Sequence, residues 1–526
     1  MTNLFNRLFA SRLRTFLFFF FLWYGIFISV GTLFSGFHFE DDQAIVEMND
    51  EINIEHKGIV QTYIRWQKRD FETRFRPFFY PPKMVEAVVF GTYFPAWAAF
   101  IALHCIVACY FLFRFCRLVN FSNALSLLFT MLTVVGVQTS AFWRLFTAEP
   151  LALVFLAMAL VCMVKGLRSP QIKKRNDALF IFLIFCSSLC KENIMMMLPA
   201  VAFLYAWLYS AENKTNIIQA FKKNITVISV LAVICLAELF ISWKLIGLTK
   251  TGFAGADDNY LNIKKAWNLV YVYAIKNFLF LIPAFGLAYI IFIKKSFKQS
   301  LVKHQHAVIL SLLIILPQFV LYFKSGINER YLIPGITGIC FLNIYVLHHL
   351  QKQQLSSFLK LSISFLLIVV LGVNTFRLVV RGYLYGEEGR VTKQYLTSVI
   401  EHTDTSSCIV IVGNPMLKIA CPMAAYLRAI PVGRKHVYLF PDFYTYTPFE
   451  LDYGEKEVQR YFGDNRFTMI QDKSKVTTVV VYPELEEQML AELHWFDVTK
   501  FERMEFGRAT FMGSPSYGKM IYYYRK

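Results

Sequence analysis

The sequence predicts an α-helical polytopic membrane protein of about eleven transmembrane helices, with a small C-terminal α/β extracytoplasmic domain. Hydrophobic residues make up 56% of the chain and charged residues only 17%, whereas soluble globular proteins have about 45–50% and about 25%. The first apolar run, residues 15–35, carries no charge and is long enough to cross a bilayer as a helix. It is too long for the core of a signal peptide, so we expect it to stay as an anchor.

Apolar stretches of this kind recur along the first 380 residues. Several are shorter than a full crossing, which needs about 20 residues, so the fifth and sixth stretches are also compatible with broken or tilted helices. The predicted spans are residues 15–35, 88–113, 121–142, 150–166, 178–191, 193–210, 225–246, 277–293, 307–323, 331–347 and 357–378.

Lysine and arginine concentrate in every second segment between these spans. Segments 165–175 and 294–303, for example, hold basic but no acidic residues. Because basic segments stay in the cytoplasm, the N-terminus is predicted to be cytoplasmic. After an odd number of spans, the tail is then on the periplasmic side of a plasma (inner) membrane. The formal net charge of +18 therefore reflects topology, and no nucleic-acid partner is expected.

Two outer regions are too large to be simple connections. The first outer loop, 36–87, mixes acidic, basic and aromatic residues, which favours short helices in the membrane interface; it belongs to a predicted transmembrane catalytic domain, 1–380. The tail, 385–526, alternates strand-like stretches such as CIVIV and VTTVVV with helix-like ones. This alternation predicts a small α/β domain. Two of its residues, Cys408 and Cys421, are candidates for a disulfide.

The conspicuous polar clusters all fall on the predicted outer side. Charges confined to one membrane face indicate one working surface, and scattered loops are the alternative. The clusters are residues 40–42 (EDD), 74–83 (RFRPFFYPPK), 143–150 (WRLFTAEP), 190–193 (CKEN), 255–260 (GADDNY) and 325–335 (SGINERYLIPG).

The order and common sidedness of these motifs resemble the GT-C superfamily of membrane glycosyltransferases, which includes protein O-mannosyltransferases and aminoarabinose transferases. FEDDQ matches the acidic pair that such enzymes carry after the first helix. CKEN resembles their mid-chain lysine motif, ERYLIPG an Arg-Tyr-x-x-Pro signature, and RFRPFFYPPK an aromatic-proline loop. The resemblance covers roughly residues 1–380 and leaves the tail unassigned.

This resemblance implies a hexosyl- or pentosyltransferase of the GT-C type. Its donor would be a sugar on a polyprenyl phosphate embedded in membrane lipid, and its acceptor a lipid, a glycan or a protein. Attack by an acceptor hydroxyl needs a carboxylate base within hydrogen-bond reach, and the departing phosphate needs cations, among which arginine grips two oxygens at once. In-line displacement with one base would invert the anomeric centre.

Site roles follow from the matched motifs. Asp41 is expected to act as the base, and Asp42 to position the acceptor or an optional divalent cation; no other cofactor is implied. Arg330, Lys191 and Tyr331 are expected to bind the donor phosphate. Weaker candidates for substrate binding are Glu192, Arg144, Glu149, Arg76 and Lys83.

Each assignment has a simpler alternative. Asp41 and Asp42 would also solvate a helix end, and Glu40 leaves the register of the acidic pair open by one residue. Lys191 would also mark a helix boundary, and Arg330 would also serve as a topogenic charge. Arg76 and Lys83 would also contact lipid headgroups, and the doublet at 257–258 would lie in a glycine-rich loop.

Two other functions compete with the transferase. A transporter or flippase for lipid-linked saccharides needs polar residues along its helices at mid-membrane, where only Glu238 is found; a carboxylate there costs about 2.5–3.5 kcal/mol. An O-antigen polymerase or ligase would use large outer loops with Arg and His sites. The acidic pair next to the first helix favours the transferase.

Overall fold

The structure is a computed structural model. It describes residues 7–39, 41–72, 74–246, 263–272, 276–289, 297–325, 329–413, 420–430, 436–440, 459, 472–481, 485–507, 510–511, 514–515 and 520–526. Glu40 and the acidic doublet at 257–258 lie outside the described residues.

Helices dominate the first 400 residues. In chain order they are α1 Arg12–Ser29, α2 Gln43–Asn49, α3 Ile59–Phe71, α4 Tyr80–Phe90, α5 Phe94–Leu118, α6 Asn123–Val134, α7 Glu149–Arg168, α8 Lys173–Ser188, α9 Glu192–Met195, α10 Leu198–Asn213, α11 Ile217–Lys223, α12 Ile225–Ile246, α13 Ile263–Val270, α14 Leu281–Ala288, α15 Phe297–Ser325, α16 Ile333–Gln351 and α17 Ser357–Glu401.

Eight helices in the described part of the chain are long and apolar enough to cross a membrane. This confirms the predicted class, an α-helical polytopic membrane protein. The other three predicted spans coincide with the shorter helices α6, α8 and α14, so the count of eleven stays a prediction, as does the orientation of the termini.

The predicted span 121–142 shows how a crossing is shortened. Helix α6 ends at Val134, and a 3₁₀ turn, Val137–Phe142, continues the chain. The Gln138 amide donates to the carbonyl of Val135 at 2.9 Å and so satisfies a helix-end acceptor that would otherwise be unpaired. At Gly136, φ is 142° and a Cβ would lie 2.7 Å from Asn374 Oδ1, so only glycine fits the turn.

The C-terminal region contains a five-stranded sheet in the order β2-β1-β3-β7-β4, with β1 parallel to β2 and β3, and β7 antiparallel to β3 and β4. The small C-terminal α/β region is therefore confirmed; where its domain boundary falls stays a prediction. In chain order its elements are β1 Cys408–Val412, α18 Ala420–Ala429, β2 Val437–Phe440, β3 Val476–Val481, α19 Glu486–Glu492, β4 Phe501–Phe506, β5 Thr510–Phe511, β6 Ser514–Pro515 and β7 Met520–Arg525.

The two faces of this sheet belong to different cores. Ile409 and Ile411 of β1 join α18 and the core of the membrane body, whereas Cys408 and Val410 face the other way, into a separate core with α19. Cys421 belongs to the α18 side. The two cysteines thus lie on opposite faces of the sheet and form no disulfide, and the pairing considered for them is wrong.

Helix α17 connects the membrane body to this sheet. It has 45 residues, which makes it about 68 Å long, roughly twice the thickness of the hydrocarbon core. Its C-terminal half packs against the end of α1, where a Cβ at Gly386 would clash with the Val30 carbonyl. Helix α18 contacts the first outer loop, because the rings of Tyr426 and Phe37 lie 4.8 Å apart.

Candidate active site

The acidic motif and the late arginine motif meet in the fold. Arg330 Nη1 donates to Asp41 Oδ2 at 2.6 Å, across 289 residues of sequence. Asp41 begins the turn that leads into α2, and its φ of 67° is a left-handed conformation that aspartate adopts more readily than most residues. Its side chain stays 23% exposed, so an incoming group can still reach the carboxylate.

The predicted phosphate-binding residues cluster beside this pair. Tyr331 lies between two cations: Arg330 Nη2 donates to its hydroxyl at 3.1 Å, and Lys191 Nζ lies 4.4 Å from the centroid of its ring. Lys191 also pairs with Glu149 Oε1 at 3.2 Å. Four residues of the predicted set, Arg330, Tyr331, Lys191 and Glu149, are thus brought together with Asp41.

Polar side chains that the sequence analysis did not single out complete this cluster. Asn193 follows the lysine motif, and its amide lies 3.5 Å from the Tyr331 carbonyl. The Gln318 amide donates to the Asn193 carbonyl at 2.8 Å, and Tyr322 stacks on Tyr331 with ring centroids 5.5 Å apart. Gln318 and Tyr322 lie in α15, whose apolar composition concealed them. Asn193 lies inside CKEN and was recognisable there.

Asp42 points away from its neighbour and into the protein. It is fully buried, and its Oδ2 accepts from the His38 backbone N–H at 2.9 Å and faces His38 Nδ1 at 3.3 Å. Burial raises the pKa of Asp42 against the opposing effect of these contacts. Burial alone would lower the pKa of His38, but Asp42 and Glu388 outweigh it and raise that pKa. The histidine was missed, although it precedes Asp42 by four residues.

Arg76 and Glu192 lie next to this cluster. Arg76 makes a two-point contact with Asp70, with Nη2–Oδ1 at 2.6 Å and Nε–Oδ2 at 3.1 Å. Burial would lower the pKa of Arg76, but the charges of Asp70 and Glu192 raise it. The backbone N–H of Phe78 donates to the Leu189 carbonyl at 3.2 Å, so the aromatic-proline loop packs against the lysine motif.

Lys83 is enclosed by its own surroundings. Its ammonium donates to Glu86 Oε2 at 2.7 Å and to the Leu145 carbonyl at 3.3 Å, and lies 5.2 Å from the Trp97 ring centroid. Arg144 is half-buried next to that carbonyl. The structure brings Lys83 together with the turn that carries Arg144. The segment Val137–Phe142, just before this turn, packs against the segment Glu329–Leu332, which contains Arg330.

Two further expectations concern Glu238 and a cation. Glu238 is buried, and Ser188 donates to its Oε1 at 2.7 Å. Within the described residues, no group of three or more His, Cys, Asp or Glu side chains is arranged to hold a metal ion. The optional cation at Asp42 therefore stays a prediction.

Comparison with solved structures identifies similar chains. The chain is similar to ArnT from Cupriavidus metallidurans in the apo state, with a TM-score of 0.50 and 11% identity over 96% of this chain and 97% of that one. It is also similar to ArnT from the same organism bound to undecaprenyl phosphate (TM-score 0.49, 12% identity, 96% and 97%). A third similar structure is the Archaeoglobus fulgidus oligosaccharyltransferase tethered with an acceptor peptide (0.40, 11%, 89% and 70%).

The apo ArnT structure establishes the fold. ArnT is an aminoarabinose transferase with the GT-C architecture, and the similarity extends over nearly the full length of both chains. The predicted GT-C resemblance is thus confirmed at the level of the fold. No protein-family model and no curated protein sequence matches the chain.

Proposed function

We propose that this chain is a glycosyltransferase that moves a sugar from a polyprenyl-phosphate-linked donor to an acceptor on the outer face of the membrane. The contact between Asp41 and Arg330 carries the proposal, because it brings a reachable carboxylate and a two-pronged cation together. General-base attack and phosphate departure need these two groups within one sugar's width of each other.

The proposed reaction uses each group once. Asp41 takes the proton of the acceptor hydroxyl while that oxygen forms a bond to the anomeric carbon. The bond from this carbon to the phosphate oxygen breaks, and its electron pair leaves with the polyprenyl phosphate. Arg330 and Lys191 stabilise the phosphate charge, with Tyr331 held between them. Attack opposite the leaving group inverts the anomeric centre.

The other predicted residues take supporting roles in this proposal. Glu149 holds Lys191, and Arg76 with Glu192 borders the same cluster. Asp42 is fully buried and faces His38, so a role in holding the loop suits it better than contact with acceptor or cation. Identification of the product would define the class of sugar and whether the acceptor is a lipid, a glycan or a protein.

A deletion strain tests the function most directly. Mass spectrometry of its envelope lipids, glycans and glycoproteins should show one glycoform lost and its unmodified acceptor accumulated. The intact gene should restore it, as should Asp497→Asn, which changes an aspartate that is 47% exposed in the C-terminal region. Asp41→Asn should fail. Profiles unchanged in every fraction would contradict the transferase.

The outer-face placement has its own test. A reporter that fluoresces only in the cytoplasm, fused after Lys526, should stay dark, while a fusion after residue 168 should fluoresce. A bright C-terminal fusion would put the site on the cytoplasmic face and reverse the proposed topology.

A further inference from the structure

The histidine ahead of the acidic pair is held from two sides. His38 is fully buried; Nδ1 lies 3.3 Å from Asp42 Oδ2, and Nε2 lies 3.1 Å from the Tyr385 carbonyl of α17. Its ring also lies flat on the Tyr385 ring, with centroids 3.9 Å apart. The histidine therefore ties the loop 38–42 to the helix that leads to the C-terminal sheet.

Hydrogen-bond chemistry fixes the orientation of this ring. A carbonyl oxygen only accepts, so Nε2 must carry a proton to bond to Tyr385. A second proton must then lie between Nδ1 and the Asp42 carboxylate, on either partner, for that contact to be favourable. Both ring nitrogens are used, so turning the ring would leave buried polar groups unpaired, which is unfavourable.

Helix α17 is shaped to receive this ring. A Cβ at Gly389 would lie 2.6 Å from His38 Nε2 and 2.6 Å from the Ser35 carbonyl. Glycine is required there by close approach alone, since this residue lies inside a regular helix. The charged groups that act on the contact are Asp41 on Asp42 and Glu388 on His38.

We propose that His38 is a positioning residue, which through Asp42 and helix α17 holds the loop 38–42 so that Asp41 stays against Arg330. Loop 38–42 is closed by the Asp42 side chain, which accepts from the His38 backbone N–H at 2.9 Å. Asp41 lies within this closed loop in its left-handed conformation. The catalytic meaning of this assignment rests on the proposed function. The clasp, formed by the contacts of His38 with Asp42 and with Tyr385, can be tested without substrate.

Hydrogen exchange tests the clasp independently of function. In His38→Gln, amide exchange of the segment 38–49 should accelerate, because this segment loses its anchor to α17. Gly389→Ala should do the same from the helix side. Gly372→Ala is the matched control, since a Cβ at this glycine of the same helix meets nothing within 4 Å. Unchanged exchange in both test variants would overturn the proposal.

Ligand binding tests what the clasp does for Asp41. A short-chain polyprenyl phosphate should bind His38→Gln several-fold more tightly than the wild type, because a released Asp41 competes less for Arg330. Transfer should fall by about 10²-fold, the typical loss for a displacement of about 1 Å. A residue that only supports the fold would weaken binding instead, and that result would overturn the positioning role.

The outcomes separate the two proposals. If the wild type itself fails to bind polyprenyl phosphate, the proposed function fails, while the exchange experiment still decides the clasp. If His38→Gln and Gly389→Ala both fail to insert although Gly372→Ala inserts, His38 holds the whole fold and not the acidic loop, which would also overturn the proposal.

Discussion

This protein contains two kinds of ion pair, and they are built differently. Lys83–Glu86 and Arg76–Asp70 join residues that are close in sequence, and their side chains are at most 8% exposed. Asp41–Arg330 joins partners 289 residues apart, and its carboxylate is 23% exposed. A local pair neutralises the buried charges of its own segment. A long-range pair that stays partly exposed is available for chemistry.

The largest effect should come from the long-range pair. Asp41→Asn keeps the shape of the side chain but removes the base, and loss of general-base catalysis costs about 10²–10⁴-fold in rate. Turnover of purified protein should fall by at least about a hundredfold, with insertion unchanged. Asp497→Asn serves as the control.

Near-normal turnover of Asp41→Asn would remove the distinction between the two kinds of pair. A large loss in Glu40→Gln instead would shift the register of the acidic pair by one residue and leave the mechanism standing.

The local pair should show itself in stability. Lys83→Met leaves the Glu86 carboxylate buried without its partner, and breaking a buried pair in this way costs about 3–5 kcal/mol. The unfolding midpoint in detergent should therefore drop sharply. Burial already raises the pKa of Glu86, against the opposing charge of Lys83, so the orphaned acid should take up a proton.

The double variant is the decisive control for this pair. Replacing both partners, Lys83→Met with Glu86→Leu, should recover most of the lost stability, because apolar residues often replace a buried pair without loss. The opposite outcome has two parts: the double variant is as unstable as the single one, and neither variant binds phosphate normally. That outcome would place Lys83 among the substrate-binding residues.

The same comparison explains what the sequence could reveal. The apolar spans, the strands β1, β2 and β3, and the motifs around Asp41, Lys191 and Arg330 follow from composition and local order. The separation of roles between Asp41 and Asp42 does not, because adjacent carboxylates look alike until a distant helix covers one of them. Gly389 of α17 indicates this separation only when its contact with His38 is known.

Shortened helices were hidden for a related reason. An apolar run shows where the chain can enter the membrane, but the end of α6 is set by the Gln138 amide and by the space at Gly136. Gln138 itself lies within the run, but the space at Gly136 also depends on Asn374 of the distant helix α17. The count of spans is therefore less certain from sequence than the class of the fold.

A smaller effect is expected for the phosphate-binding arginine. Arg330→Ala should weaken binding of a polyprenyl phosphate by about 10- to 100-fold, since a hydrogen bond to a charged group contributes about 1.5–3 kcal/mol. Arg330→Lys should recover only part of the affinity, because lysine cannot form the two-point contact. Arg390→Ala removes an exposed arginine of α17 and should bind normally. Equal affinity in all three variants would return Arg330 to a topogenic role.

The smallest effect has the opposite sign. In the resting structure Asp41 occupies a donor of Arg330 that a phosphate oxygen would use, so the base competes with the ligand. Asp41→Asn should therefore bind polyprenyl phosphate more tightly than the wild type while transferring far less sugar. A pair that remains partly exposed contributes about 0–1 kcal/mol, which limits the gain to about fivefold. Isothermal titration with the wild type, Asp41→Asn and Asp497→Asn would measure it. Weaker binding in Asp41→Asn alone would mean that Asp41 orders Arg330 for the phosphate, and the long-range pair would then be a preformed binding site and not a competitor.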